Sequence, residues 1–151
     1  MIDYVVWFIS TIMVIATVIL HYEVIMVVSD RIIPWAQKCA RSRRVMAYAI
    51  AGLLFGHILE IWLFALAMNA LVAFPVLGAA EGAFGNDFSI LLYLSSVNYT
   101  SLGDNGIRLI GPVRALAASE SLVGMMMIAW SAAFAYLKMK MIWERRSARR
   151  K

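Results

Sequence analysis

The sequence predicts an all-α integral membrane protein, with three transmembrane helices and a shorter apolar helix between the second and the third. Three observations carry this reading. Of 151 residues, 63% are apolar and 15% charged, and the mean hydropathy is +0.79; a soluble domain is about half apolar and about a quarter charged. Three apolar blocks each exceed the roughly 20 residues needed to cross the hydrocarbon core. A fourth, residues 88–99, would rise only about 18 Å as a helix, too short to cross but suited to a re-entrant segment. The composition excludes soluble globular, disordered and collagen-like chains. Nine Gly and three Pro leave little chain for long linkers, so one domain is expected. Cys39, the single cysteine, excludes an internal disulfide framework and is by itself too few for a zinc site.

The first block, residues 4–28, is interrupted only by His21 and Glu23. Its Met-Ile-Asp start lacks the basic residues of a secretory signal, so a retained helix is expected. His21 and Glu23 are read as lying toward its cytoplasmic end, within reach of water. The polar connection over residues 29–44 carries Arg31, Lys38, Arg41, Arg43 and Arg44. Within it, Pro34 suits a helix break and Trp35 an interfacial anchor. The second block, residues 45–74, contains His57 and Glu60. Residues 75–87, rich in Gly, Pro and small side chains, read as a loop. Asp87 is placed to N-cap the short helix over residues 88–99. The stretch TSLGDNGIRLIGP, residues 100–112, holds three Gly and one Pro and cannot continue that helix. The last block spans residues 116–142, and the basic tail, 143–151, is expected to fray.

Charge sets the orientation. Of fourteen Lys and Arg, five lie in residues 29–44 and seven in residues 138–151, leaving only Arg108 and Arg114 between residues 75 and 117. Basic residues favour the cytoplasmic side. The N-terminus and residues 75–117 are therefore expected outside, and the C-terminus inside. The same asymmetry accounts for the net charge of +5; the basic tail reads as a membrane-lipid anchor rather than a nucleic-acid contact.

A helix, a short re-entrant helix, a Gly-containing loop and a further helix make a pore-loop unit. With YTSLGDNG at residues 99–106, the sequence resembles the potassium-channel pore superfamily. More narrowly, it resembles small bacterial ion-channel-domain proteins whose loop reads Y-T-T-L-G-Y-G-D. Tyr99, Thr100, Leu102 and Gly103 match without gaps, and Ser101 replaces a Thr. Asp104, Asn105 and Gly106 stand where the family has Tyr, Gly and Asp. GHILEIWLFAL, residues 56–66, is similar to the family's His-Leu-Leu-Glu-Ile stretch, and ESLVGMMMIAWSAAF, residues 120–134, to its inner helix.

The resemblance implies a homotetramer whose four loops line a path for monovalent cations, in a bacterial plasma membrane, with no cofactor and no catalysis. It divides the chain into an N-terminal helix to residue 30, a cytoplasmic connection over 31–44, a pore domain over 45–142 and the tail. The selectivity filter would be Thr100, Ser101, Leu102, Gly103, Asp104 and Asn105, following a pore helix that includes Phe88, Leu92 and Ser96.

The residues themselves fit that chemistry. A partly dehydrated cation needs replacement oxygens, which carbonyls along an extended loop supply. The Ser101 hydroxyl adds another at the inner end, and Gly103 relieves steric limits on a curled backbone. The preceding helix points its partly negative C-terminal end at the axis. Asp104 has two readings: a ring of four carboxylates at the outer mouth, attracting calcium or other hard cations, or a turn residue bonded to its own backbone. With Asp104 and Asn105 in place of the family's Tyr and Gly, potassium selectivity does not carry over. Passage of both potassium and sodium is expected.

His57 and Glu60 share a helical face near mid-membrane. They read as a proton-sensitive element or, more simply, as a structural polar contact supporting the pore helix. Gly52 and Gly56 form a G-x-x-x-G spacing that permits close helix contact. Gly124 reads as an inner-helix bending point or as a packing site, and Ser131, Ala132 and Ala133 suit tight crossing or a cavity wall. Among soluble-enzyme signatures, no G-x-S-x-G, HExxH or nucleotide-binding Gly loop occurs. Two rivals to conduction are a non-conducting membrane partner of the same fold and a haem protein with His21 and His57 as axial ligands. Estimated depths of the two histidines differ by several ångströms, which is awkward for the haem.

Overall fold

The computed structural model of the chain describes residues 2–39, 44–82, 87–103 and 106–148. Helix α1 (Ile2–Val27) runs into a π-helical turn at Val28–Ile32 and then α2 (Ile33–Cys39). Next come α3 (Arg44–Val72), strand β1 (Ala79–Glu81), α4 (Phe88–Tyr99), strand β2 (Arg108–Ile110) and α5 (Arg114–Ala148). Three helical stretches are long and apolar enough to cross a membrane: Asp3–Lys38, Arg44–Val72 and Arg114–Glu144. Much of their apolar surface faces outward, including Trp7, Phe8, Leu54, Phe55, Leu122 and Met126. That pattern suits lipid or further protein, not water.

Pro34 does not break the first helix as expected. A proline cannot donate to the carbonyl four residues back. Widening the preceding turn resolves the conflict: the Ile33 N–H bonds to Val28 O, five residues back, and the helix resumes through Cys39. The expected cytoplasmic connection is therefore largely helical on its N-terminal side, with Trp35 half-exposed and edge-on to Tyr48 at 5.5 Å. At the other terminus α5 continues through Ala148, so most of the expected frayed tail is helix.

Side-chain register gives the helix directions. On α1, His21 meets Glu60, Val24 lies against Gly56, and Val28 against Gly52, so α1 and α3 are antiparallel. His21 meets Ser131, and Ser29 meets Lys138, so α1 and α5 are parallel. The chain thus goes up, down and up. Its N-terminus lies at the same end as the two-stranded ribbon, and the α2–α3 junction at the end where α5 finishes. The close spacing of Gly52 and Gly56 does serve helix contact, with α1 as the partner.

The ribbon was not legible as strands. β1 and β2 are antiparallel, pairing Ala79 with Ile110, Ala80 with Leu109 and Glu81 with Arg108. It ties together the two ends of the segment containing α4. From there α4 descends between α3 and α5: Ser95 Oγ donates to Ile61 O at 2.8 Å, and Tyr99 packs on Gly124. Asp87 occupies the N-cap position, but its side chain accepts from Ser89 Oγ at 3.0 Å instead of from the helix backbone.

Two apolar cores result. One gathers Val6, Phe64, Met68, Leu91, Leu116 and Val123 toward the ribbon end. The other gathers Ile25, Val28, Ile33, Ala36, Val45 and Leu53 toward the opposite end.

Helix α5 is unbroken through Gly124, where a Cβ would lie 2.3 Å from the Tyr99 carbonyl oxygen. Backbone cannot retreat as a side-chain tip can. Gly124→Ala is therefore expected to destabilise the fold by about 1–3 kcal/mol, despite its gain in helix propensity. Gly52→Ala, whose nearest atoms are the side-chain ends of Ile32 and Val28 at 2.9 Å, should cost clearly less. Unfolding of both variants in detergent measures the difference.

Candidate functional site: a buried polar junction beneath an open loop

Between the two apolar cores, four helices converge polar side chains on one carboxylate. Glu60 is 0% exposed, as is His21. Its Oε1 accepts from His21 Nδ1–H at 2.8 Å, and its Oε2 accepts from the Tyr99 hydroxyl. Since that hydroxyl has one hydrogen, the phenol oxygen in turn accepts from His57 Nδ1–H at 2.8 Å. His57 Nδ1 also lies 3.5 Å from Glu60 Oε2. On the far side of His21, Nε2 accepts from the Ser131 hydroxyl at 3.3 Å. α1, α3, α4 and α5 each contribute to this junction.

The i, i+3 spacing of His57 and Glu60 foreshadowed the α3 part of it. His21, expected within reach of water, is instead buried at the junction. Its depth follows from the continuous helix, because residue 21 falls near the middle of a stretch from Asp3 to Lys38. Glu23, two residues on, is exposed on another face. Tyr99 was legible as the start of the loop motif, but its partner lies 39 residues away, which no local pattern reports.

A second buried carboxylate lies higher on α5. Glu120 is 0% exposed and its Oε1 lies against Ser95 Oγ, whose single hydrogen it shares with Ile61 O. Asn98 approaches it from α4. Even so, neither Asn98 Nδ2 nor Glu120 Oε2 completes a hydrogen bond of normal geometry among the described residues. Sequence reasoning did not single out Glu120; an acid within an otherwise apolar block was the available signal.

Residues 100–103 follow α4, and all four are exposed. The helix closes with a paired cap: Ser101 N–H donates to Asn98 O at 2.9 Å and Leu102 N–H to Val97 O at 3.1 Å. The cap places Ser101 in the left-handed region at φ 56, a position usually given to glycine. Gly103 is also left-handed at φ 74, with nothing within 4 Å of where a Cβ would be. Leu102 is 80% exposed. Among the described residues, no backbone hydrogen bond ends on the carbonyls of residues 100–103. Thr100 Oγ1 turns back to Ser96 O at 2.9 Å, and Ser101 Oγ reaches Ser121 O at 3.5 Å. Of the other expected pore-helix residues, Phe88 packs on Trp62, and Ser96 Oγ donates to Leu92 O. Asp104 and Asn105 lie outside the described residues.

No family model, characterised protein or solved structure matches this chain. Function has to be read from its own geometry.

Below the α4 terminus, a largely apolar cavity of about 550 Å³ lies between α3 and α5, reaching His57, Tyr99, Thr100, Ser131 and Ala132. The junction can thus fix α4 against three helices, hold a proton, or bind a cation: ligand atoms of His21, His57 and Glu60 all lie within 4.8 Å of one another.

A buried donor left without its acceptor typically costs about 1–3 kcal/mol. Glu60→Leu should therefore lower stability by that order, since it strands His21 Nδ1 and the Tyr99 hydroxyl. Ser119→Ala, which removes only a bond to Ala115 O one turn away, should have little effect. Thermal unfolding of the two variants in detergent checks the contrast.

Proposed function

We propose that the chain forms a homotetrameric cation channel of the potassium-channel pore type. It would conduct potassium and sodium passively across a bacterial plasma membrane, with its N-terminus outside and its C-terminus in the cytoplasm. One observation supports the reading: α4 ends about midway along the neighbouring apolar helices in an exposed, non-helical segment whose carbonyls take no backbone hydrogen bond among the described residues. Gly124, level with Tyr99, is ten residues into α5, about 15 Å along it. The hydrocarbon core is about 30 Å thick. With the ribbon at the outer surface, residues 100–103 fall near the midplane. Irregular backbone is tolerated there only inside protein or against water. Four copies around an axis supply both, packing the loops together and turning their carbonyls toward a shared aqueous path.

Surrounding features support the same arrangement. The path from α3 through β1, α4 and β2 to α5 brings a short helix down and an open loop back up, as a re-entrant pore unit requires. The basic ends of α2 and α5 lie together, opposite the ribbon, which suits the proposed orientation. The haem alternative is disfavoured by geometry. The two histidine rings are only 5.1 Å apart by centroid, and both Nδ1 atoms already face the Glu60 carboxylate, so a macrocycle between them has no slot.

Selectivity rests on the sequence at Asp104 and Asn105. Without the second half of a potassium filter, fewer ordered carbonyl rings remain, and discrimination between potassium and sodium should be weak. Four Asp104 carboxylates at the mouth should bind calcium in the millimolar range or tighter. Bi-ionic potentials of the reconstituted protein test this directly. The expected result is comparable potassium and sodium permeability, with external calcium block largely removed by Asp104→Asn. Strong rejection of sodium, or equal block of the Asn variant, would contradict the role given to Asp104. A folded tetramer with no cation flux across voltage and pH would favour the non-conducting partner.

A further inference from the structure

We propose that His21, His57 and Glu60 form a binding site for one divalent transition-metal ion, with the Tyr99 oxygen as a fourth ligand. The inference stands apart from conduction, since it concerns the buried junction and not the loop. Three hydrogens, on His21 Nδ1, His57 Nδ1 and the Tyr99 hydroxyl, crowd the Glu60 carboxylate and its immediate partner. They occupy the space a cation would take. A single buried carboxylate needs far less: one histidine and one hydroxyl satisfy its two oxygens. The second histidine is surplus to a salt bridge but completes a ligand set.

The dimensions suit a small ion. Metal–ligand distances of about 2.0–2.2 Å in a tetrahedral zinc site put ligand atoms roughly 3.3 Å apart. Here neighbouring ligand atoms are separated by 2.8 Å for His21–Glu60 and 3.5 Å for His57–Glu60, and all three lie within 4.8 Å of one another. Shifts of a few tenths of an ångström would adjust the His21–Glu60 and His57–Glu60 contacts, while the two histidines would close in and the Tyr99 oxygen draw back from Glu60 by about an ångström. Two imidazoles favour zinc and its first-row neighbours over calcium or magnesium, which take oxygen ligands. Four protein ligands with no open position favour zinc.

Support beyond the ligands is also in place. A metal on His21 Nδ1 requires the hydrogen to sit on Nε2, and the Ser131 oxygen is there to accept it. Charge balances as well. Glu60 is a buried carboxylate that, among the described residues, pairs with no Lys or Arg. With the Tyr99 hydroxyl releasing its proton to solvent on binding, a dication with two neutral imidazoles offsets Glu60 and the phenolate. Access is from the cavity that reaches His57, Tyr99 and Ser131. Once bound, the ion would cross-link α1, α3 and α4 directly before the open loop.

The test uses the full chain in nanodiscs, stripped with a chelator and then titrated with zinc or with cobalt as a coloured stand-in. The expected result is one equivalent per chain, visible absorption of four-coordinate cobalt, and a zinc-dependent rise in melting temperature. X-ray absorption of the zinc-loaded wild type should show two imidazoles among N/O ligands at about 2.0–2.1 Å. His57→Gln should weaken binding by more than about a hundredfold, beyond the usual effect of losing an outer partner. Binding below one-tenth of an equivalent, or bound zinc with no imidazole scattering, would overturn the proposal; so would unchanged affinity in the His21→Gln, His57→Gln double variant. The wild-type absorption spectrum decides even if the variants fail to fold.

Discussion

A carboxylate buried midway along apolar helices must be surrounded by donors, and the surroundings of Glu60 fix where the other helices go. Its two oxygens face different elements: one draws in His21 from α1, the other Tyr99 from α4. His57 closes the ring from one turn earlier on α3, and Ser131 backs His21 from α5. Each contact has a specific register, because a helix slipped by one residue would turn its polar group into hydrocarbon. Apolar packing above and below the junction is less demanding, since one aliphatic contact can replace another. The polar seam therefore specifies the arrangement that the two apolar cores then stabilise.

That seam also sets the height of the open loop. Tyr99 is the last residue of α4, so anchoring its hydroxyl to Glu60 stops the helix at the level of the junction. Gly124 lets α5 approach until its backbone meets the Tyr99 carbonyl. Ser95, held by Ile61 O and Glu120, fixes the same helix one turn higher. With the ribbon closing the other end, α4 is held at both extremities, and residues 100–103 emerge facing away from the chain's own core. Their exposure in a single chain and their depth along the helices conflict, and the proposed tetramer would resolve the conflict.

Hydropathy alone made the helices legible, because crossing a membrane requires long apolar runs that nothing in a loop imitates. The short fourth helix was legible for the same reason, by its length. Pro34 misled: proline reads locally as a break, whereas a widened turn absorbed it and carried α1 onward. A helix ended at Pro34 puts His21 near its end, whereas the continuous helix puts it near the middle. The ribbon escaped notice because three-residue strands have too few alternations to register as a pattern. The junction was half legible. His57 and Glu60 are close in sequence, but their partners His21, Tyr99 and Ser131 come from three other helices and meet only through tertiary register. Glu120 sits in a stretch that reads first as an inner-helix motif, although an acid within an apolar span carries its own significance.

Everything proposed for the loop depends on other copies of the chain completing it. The most direct measurement is a count of chains in protein extracted with its native lipid into nanodiscs, by native mass spectrometry. The account predicts four copies of the 16.9 kDa chain. A monomer or dimer as the dominant species would leave residues 100–103 exposed at mid-membrane and would contradict it.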